Sequence, residues 1–470
     1  MTTLPPPAFH APAKDLLGPK GWSEDPEKLN AAATPWRGTF QGATPFLARP
    51  AATEEAAALV KLCAAHRVAI TPQGGNTGLV DGGTPHGEVC VSMTRMNAVR
   101  EVDPFNNSMV IEAGATLVAA QDTADAANRL FPLSLGSQGT ATLGGLISTN
   151  AGGVAVLRYG MMRDLILGLE VVLPSGEIWD GLSGLRKNNT GYDLKHLFAG
   201  AEGTLGLITA ATFKLFPKVQ RATGWVVVAS AADVVKLLAV VRDHTGDSVT
   251  SFEIIPANAV AMVTADIPGT RDPLPANADW RVLVEVSQPT AAQAGLLLQN
   301  ALEAGAEAGL VQDAVLAASD AHAKAFWTIR ESIPLSKRAY GTALNQDISV
   351  PVSRIPDFIA ACNAAVRGVV PQADFVIFGH VGDGNLHYSV VEPADAPAPF
   401  LKAQEAAVTR TVFDTVMAFG GSISAEHGVG RLKRDELARL RPAAATETMR
   451  AIKRALDPLG IMNPGRVVSV

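Results

Sequence analysis

Three loops between residues 69 and 209 set the first constraint, because each exposes bare backbone that few folds can use. The stretch "AITPQGGNTGLVDGG" (69–83) follows a strand-like run. Gly74, Gly75 and Gly78 lack a Cβ, so the chain can turn tightly and aim successive N–H groups at an anion, while Asn76 and Thr77 add polar side chains. The stretch "PLSLGSQGTATLGGLISTNAGGVAVLRYG" (132–160) carries seven glycines in 29 residues. Thr140 and Thr142 are expected to cap the helix that starts there, leaving N–H groups for a pyrophosphate. A third loop, "FAGAEGTLGLIT" (198–209), lies between apolar runs. One such loop reads equally well as a plain surface turn. Three within about 140 residues exceed what tight turns require and fit a large, multi-part ligand such as a dinucleotide. The first is not a Walker A loop, since no Gly-Lys-Ser/Thr follows. The chain also lacks a strict G-x-G-x-x-G, which counts against a Rossmann nicotinamide enzyme.

Strands in this glycine-rich part are short, as in the hairpin expected at "LEVVLPSGEIWD" (169–180). A different texture begins at residue 225. Strand 225–230, helix 231–244, strand 249–255, strand 281–287, helix 290–305 and strand 310–316 follow in the β-α-β-β-α-β order of a ferredoxin-like layer. A helix over "DAHAKAFWTIRESIPLSKRAY", the strand "DISVPVS" and a helix at 355–370 come next.

"FGHVGDGNLHYSV" (378–390) then places two histidines around an Asp-Gly pair. The flanks read as strands, and Asp383-Gly384 is a hairpin signal of type I′. Pairing across it sets His380 opposite His387, with Cβ atoms roughly 4.5–5.5 Å apart, a good spacing for two ligands on one ion. Alone, the pair is more simply two half-buried aromatics. "SISAEHGVGRLKR" (422–434) changes the balance by adding Glu426 and His427. Two His and one Glu form a three-ligand set that leaves an open position, and nitrogen and oxygen donors without thiolate admit zinc, manganese or iron.

Composition excludes several classes. A net charge of −6 without a long basic run argues against nucleic acid. Cys63, Cys90 and Cys362 form no C-x-x-C pair, so an iron–sulfur cluster is not expected and a reduced, cytoplasmic chain is. The N-terminal stretch shows no basic region followed by an apolar one, and the most apolar run (225–241) is interrupted by Asp233 and Lys236, so neither a signal peptide nor a membrane span is expected. With 470 residues the chain has room for two or three domains.

Taken together, "PQGGNTG", "GSQGTATLGGLISTNAGG", "RYG", "KNNTGYDLKHLFAGAEGTLGLIT", "GHVGDGNLH", "SAEHGVG" and "DPLGIMNPGRV" resemble the FAD-linked D-2-hydroxy acid dehydrogenases. This branch of the vanillyl-alcohol-oxidase flavoprotein superfamily includes D-2-hydroxyglutarate and D-lactate dehydrogenases. The seven motifs run in order from about residue 40 to 468, with the weakest match at 222–320. The resemblance implies an α+β chain with an N-terminal segment (1–39) and a PCMH-type FAD-binding domain of two subdomains (40–220). A ferredoxin-like cap or substrate domain with the histidine hairpin (221–396) and a C-terminal helical segment returning to the flavin (397–470) complete it.

The resemblance also implies residue roles. Pro72, Gly74, Gly75, Asn76, Thr77 and Gly78 belong to the loop that holds the pyrophosphate. Ser137, Gly139, Thr140, Gly144, Gly145, Asn150 and Gly153 would hold the ribityl and isoalloxazine portions, Glu202 and Ile208 lie by the adenosine end, and Asn463 lies near the ring. No histidine stands at the position of covalent attachment, so the FAD is expected to be non-covalent. His380, His387 and Glu426 would be ligands of a divalent metal, first of all zinc, and Arg330 would fork onto the substrate carboxylate. His427 would be the general base, the alternative being a hydrogen bond that orients Glu426. For Arg330 the plain alternative is a solvated helix charge. Asp383 and Asn385 are assigned to the turn.

Three positions depart from the D-2-hydroxyglutarate pattern: Asn345 stands where Lys is usual, Pro334 where Thr is, and Ser389 where Asn is. Losing that lysine removes a charge from the distal end of the substrate site, which predicts broad or monocarboxylate use unless Lys337 or Arg338 reaches in. Electrons would leave to an external acceptor such as electron-transfer flavoprotein or a quinone-linked carrier, and a homodimer stays open. Two other readings remain at this point: a net non-redox transferase of the alkyl-dihydroxyacetonephosphate synthase type, and an electron-relay subunit.

Overall fold

The computed structural model describes residues 4–337, 341–393 and 400–469. Arg338 and the expected domain boundary at 396 lie outside them. The chain forms two compact units. The first holds the chain up to Gly153, Gly160–Lys218 and the chain from Glu426 onward; the second holds Val154–Tyr159 and Val219–Ala425.

The first unit contains two sheets. One is built from β1 (Trp22–Ser23), β2 (Leu47–Ala48), β3 (Ile70–Gln73) and β4 (Val89–Ser92) in the order β1-β2-β4-β3, with β2 and β3 both parallel to β4. The helix Thr53–His66 buries Ala56, Leu59, Val60 and Cys63 in a core with Phe9, Ile70, Val91 and Met462. The other sheet is antiparallel, in the order β5 (Val99–Asp103), β6 (Ser108–Glu112), β10 (Leu207–Lys214), β8 (Ile166–Val172), β9 (Ile178–Gly181). Strands β8 and β9 are the expected hairpin, paired from Leu169↔Gly181 to Val172↔Ile178. Two short strands, β7 (Arg129–Leu130) and β11 (Phe216–Pro217), pair separately. The last part of the chain is woven into the first sheet: Ile70 N–H donates to Ile461 O at 2.8 Å, and Asn463 N–H to Ile70 O at 2.8 Å. Arg466 is buried against Glu88 at 2.7 Å.

The second unit is one seven-stranded sheet, with every neighbouring pair antiparallel. β12 (Gln220–Val228), β13 (Val249–Pro256), β14 (Trp280–Gln288) and β15 (Asp313–Leu316) lie in the order β15-β12-β14-β13. The helices Ala231–Thr245 and Ala291–Glu307 pack against each other, which completes the expected ferredoxin-like unit. An extra helix, Ala257–Asp266, is inserted between β13 and β14. The sheet continues from β13 into β17 (Asp374–His380), β18 (Asn385–Val391) and β16 (Ala343–Ser349).

The histidine hairpin differs from expectation. Its pairs are Ile377↔Tyr388 and Phe378↔His387, so His387 faces Phe378, and His380 instead pairs Glu253 on β13. The turn is longer than two residues: Val381–Asp383 form a 3₁₀ turn, and Gly384 alone of the Asp-Gly pair takes a left-handed backbone (φ +84°). A type I′ turn needs positive φ at both positions, so that turn is not formed. A two-residue shift of register keeps every side chain on its own face. The two imidazoles therefore still meet, edge to face, with ring centroids 5.4 Å apart.

Candidate active site

Each histidine of the hairpin is backed by a buried carboxylate in the second unit. His380 Nδ1 lies 2.5 Å from Glu253 Oε1, and Glu253 is fully buried on β13. His387 Nδ1 lies 3.8 Å from Asp347 Oδ1, an electrostatic contact from the facing residue of β16. Asp347 is buried and accepts a hydrogen bond from Asn385 Nδ2 at 2.9 Å. A carboxylate at Nδ1 fixes the ring orientation and directs metal bonding to Nε2, the arrangement that commonly stands behind ligating histidines. The donor set thus fits a borderline divalent ion. Asn385 is not merely a turn residue, as expected, but a support for Asp347. Asp383 does hold the turn, accepting from Asn385 N–H at 3.1 Å.

Glu253 also binds Arg330, whose Nε donates to Glu253 Oε2 at 2.7 Å. Burial pushes the Glu253 carboxyl up, but the charges of His380 and Arg330 outweigh it and hold the pKa down at about 2. Arg330 is itself buried, with its guanidinium 4.7 Å from the Phe378 ring, so the reading as a solvated helix charge is excluded. Among the described residues its hydrogen bonds are made through Nε alone, which leaves both terminal nitrogens to a ligand. Seven residues on, Lys337 is buried with its ammonium bonded to Asn345 Oδ1 and Ser389 Oγ, each at 2.6 Å.

Sequence reasoning missed Glu253 and Asp347. The signal was there: "VTSFEIIP" has one charge in an otherwise apolar strand-like run, and all eight positions prove buried. A carboxylate in such a place must have a partner.

In the first unit the glycine loops interlock. A Cβ on Gly74 would stand 2.0 Å from Thr142 Oγ1, and one on Gly75 would stand 1.9 Å from Thr140 O, so only glycine permits the approach. Gly78, Gly139 and Thr140 are exposed, Pro72, Thr77 and Ser137 half-buried. Thr142 precedes the helix Leu143–Thr149, which carries Gly144 and Gly145, but makes no side-chain cap, contrary to expectation. Its hydroxyl lies between Gly74 and Gly145, close to both. That hydroxyl and Asn463 Oδ1 are buried with no hydrogen-bond partner among the described residues. Two orphaned polar atoms and a cradle that a Cβ would fill suit a large polar ligand such as FAD.

Asn76, Asn150, Glu202 and Asn463 all adopt positive φ. Asn76 Nδ2 donates to Thr34 O at 3.0 Å, and Asn150 Oδ1 accepts from Arg163 N–H at 2.8 Å. Glu202 accepts the Val429 and Gly430 N–H groups at 2.7 and 2.8 Å, and burial raises its pKa against their pull. Asn463 Nδ2 ties Gly82 O and Glu202 O at 3.0 and 2.7 Å. Ile208 is buried in β10. Glu426 Oε1 accepts the Gly153 N–H at 2.6 Å, and His427 follows it, half-buried.

Solved structures give the class. The chain overlays p-cresol methylhydroxylase with a TM-score of 0.77 at 19% identity, covering 99% of both chains. It overlays alkyldihydroxyacetonephosphate synthase with a TM-score of 0.73 at 17% identity, covering 99% of this chain and 86% of the other. At such identity the likeness is one of fold, and the fold is the PCMH-type FAD-binding one, α+β as expected. Sequence narrows it further. Residues 44–181 match the FAD binding domain, and residues 217–467 match the C-terminal domain of FAD linked oxidases. The chain belongs to the FAD-linked oxidase family and is a flavoprotein. D-2-hydroxyglutarate dehydrogenase of Stutzerimonas stutzeri (strain A1501) is 36% identical over 98% of this chain and 99% of its own. The mitochondrial D-2-hydroxyglutarate dehydrogenase of Arabidopsis thaliana is 34% identical over 97% of this chain and 80% of its own. Among the described residues no helix is long and apolar enough to cross a membrane.

Proposed function

We propose that this chain is an FAD-dependent dehydrogenase that oxidises a D-2-hydroxy acid to the 2-oxo acid. The observation that carries the reading is the buried Arg330–Glu253–His380 chain, which sets an anion-binding guanidinium beside two oriented imidazoles. Those groups suit the carboxylate and hydroxyl of one small molecule. The names borne by the full-length relatives support the same substrate class.

Oxidation removes the C2 hydrogen as hydride and the hydroxyl hydrogen as a proton. FAD, when bound, would supply the acceptor for that hydride. Arg330 offers two parallel N–H donors to the C1 carboxylate, which fixes the acid in one orientation. His427 accepts the hydroxyl proton, a task suited to an imidazole near neutral pH. His380 and His387, with Glu426, would hold a divalent ion, zinc before manganese or iron, that polarises the same hydroxyl. Pro72, Gly74, Gly75, Asn76, Thr77 and Gly78 would face the pyrophosphate, and Ser137, Gly139, Thr140, Gly144, Gly145, Asn150 and Gly153 the ribityl chain and ring. Glu202, Ile208 and Asn463 would line the remaining contacts. The FAD would be dissociable. With Cys63, Cys90 and Cys362 all buried and unpaired, electrons would pass to an external carrier, electron-transfer flavoprotein or a quinone-linked protein, in the cytoplasm.

The test is a screen of D- and L-2-hydroxy acids for bleaching of the flavin absorbance, from D-lactate to D-2-hydroxyglutarate. At least one D acid should bleach it and its L isomer should not. Bleaching by none, or by the L isomer equally, would refute the assignment.

A further inference from the structure

The stretch "HGVGR" (427–431) turns through two glycines in left-handed backbone, Gly428 (φ +82°) and Gly430 (φ +53°). The successive N–H groups of Val429 and Gly430 reach one anion. Such a backbone concavity ordinarily takes an anion from solution. Here the anion belongs to the chain: Glu202 fills it, Oε1 accepting from Val429 N–H at 2.7 Å and Oε2 from Gly430 N–H at 2.8 Å. We infer that Glu202 is a positioning residue, its carboxylate fixing the loop that carries Glu426 and His427. The inference rests on the function proposed above.

The fit is built into both partners. A Cβ on Gly428 would stand 2.8 Å from Glu202 Oε1, and one on Gly82 would stand 3.2 Å from Oε2. The carboxylate thus lies in a slot that glycine clears on two sides. Glu202 is itself in left-handed backbone (φ +51°), a strained state for a residue with a Cβ that persists where the surroundings enforce it. They do so here. Its N–H donates to Ser148 O at 2.8 Å, and its carbonyl accepts from Asn463 Nδ2 at 2.7 Å. Every polar atom of Glu202 is therefore engaged within the chain, and what it lends the flavin site is placement.

One residue in this way joins all three glycine-rich loops. Glu202 belongs to the third, Ser148 to the second and Gly82 to the first. The first is tied to the same turn again, since Arg431 and Leu432 N–H donate to Val80 O at 3.0 and 3.3 Å. Glycines impose no conformation of their own, so the N–H side of the turn takes its place from the carboxylate. His427 directly precedes Gly428, and a shift of the turn passes to it through the backbone. Displacing a reacting group by about 1 Å can cost about a hundredfold in rate.

Two variants test this. Glu202→Gln keeps one acceptor oxygen and Glu202→Ala keeps none. For the D acid that bleaches the flavin, kcat should fall about tenfold in the first and about a hundredfold in the second. KM and FAD per chain should stay within about threefold, because Arg330 and the Gly74 and Gly75 contacts are untouched. That split would set Glu202 apart from the glycines of its loop, whose replacement should cost cofactor. A kcat that falls only in proportion to lost FAD, and returns when FAD is added, would overturn the proposal, as would equal losses in the two variants. Hydrogen exchange supplies an arm that needs no activity. The Val429 and Gly430 amides should exchange slowly in the unmodified holoenzyme and about tenfold faster in Glu202→Gln. Fast exchange in the unmodified holoenzyme would overturn the proposal without any variant. If that enzyme oxidised no D acid, the failure would lie with the function, and these amides would still decide whether Glu202 holds the turn.

Discussion

The two units prepare for ligands by opposite means. In the first, backbone does the work: Gly74 and Gly75 bring loops so close that a single Cβ would collide, and the polar atoms left over belong to short side chains, Thr142 and Asn463. In the second, charge does it: Glu253 joins His380 and Arg330, and Lys337 joins Asn345 and Ser389, all on one sheet and one helix. The lesson is that binding the flavin and choosing the substrate can be damaged separately. Substitutions in the glycine loops should cost cofactor, and substitutions in the charged chain should cost turnover with the cofactor retained.

The largest expected effect breaks the charged side. Glu253→Gln takes the anion from between two buried groups, which should lower turnover by at least about ten- to a hundredfold, as loss of the carboxylate behind a ligating histidine does. Removing one partner of a buried ion pair should also cost about 3–5 kcal/mol of stability. Denaturant unfolding, turnover and flavin content measured together would check it. Loss of flavin in parallel with loss of turnover would show that the two units are not separable in this way.

Gly75→Ala tests the other side. A methyl group 1.9 Å from Thr140 O cannot be accommodated unless one loop moves, at a cost of about 1–3 kcal/mol. The FAD recovered per chain should fall, and flavin added back should restore turnover. Unchanged FAD affinity would mean that the loop approach does not matter to the cofactor.

The smallest effect concerns a deeply buried carboxylate–guanidinium pair of the first unit, Glu88 with Arg466. Burial pushes Glu88 up, but the Arg466 charge and hydrogen bonds outweigh it and hold the carboxyl below its ordinary 4.5. A group depressed on folding stabilises the fold above its unfolded pKa, and that contribution is lost as pH falls through the folded one. The urea midpoint should therefore drop more steeply below pH about 4.5 in the natural chain than in a Glu88→Gln chain. Parallel curves would remove the pair from the account.

What could be read in the sequence follows the same division. The glycine loops, the β8–β9 hairpin and the β-α-β-β-α-β succession of elements in the second unit were legible because local composition and periodicity dictate them. That His380 and His387 meet was legible too, from the alternation of the two strands. Their supports were not: Glu253 lies 127 positions from His380, and only a seven-stranded sheet brings the two together. The hairpin register was misjudged because Asp-Gly signals a turn without fixing its length, and Val381–Asp383 coil into a 3₁₀ turn first. Lys337 was weighed as a replacement cation, but the direction of a flexible side chain at a helix end is a matter of packing that no pattern encodes.

The way the segment Ile461–Arg466 threads back has a consequence for biogenesis. Asn463 closes on Gly82, 381 positions earlier, and Ile461 and Asn463 both bond the strand that leads into the first glycine loop. Translation delivers that loop before its closing segment, with the whole of the second unit made in between. The edge of β3 at Ile70 therefore gains these partners only after the second unit has been made. A chain stopped near residue 460 would lack the groups that close on Gly82 and Ile70, and should lose order in the opening loop as a lesion within it would.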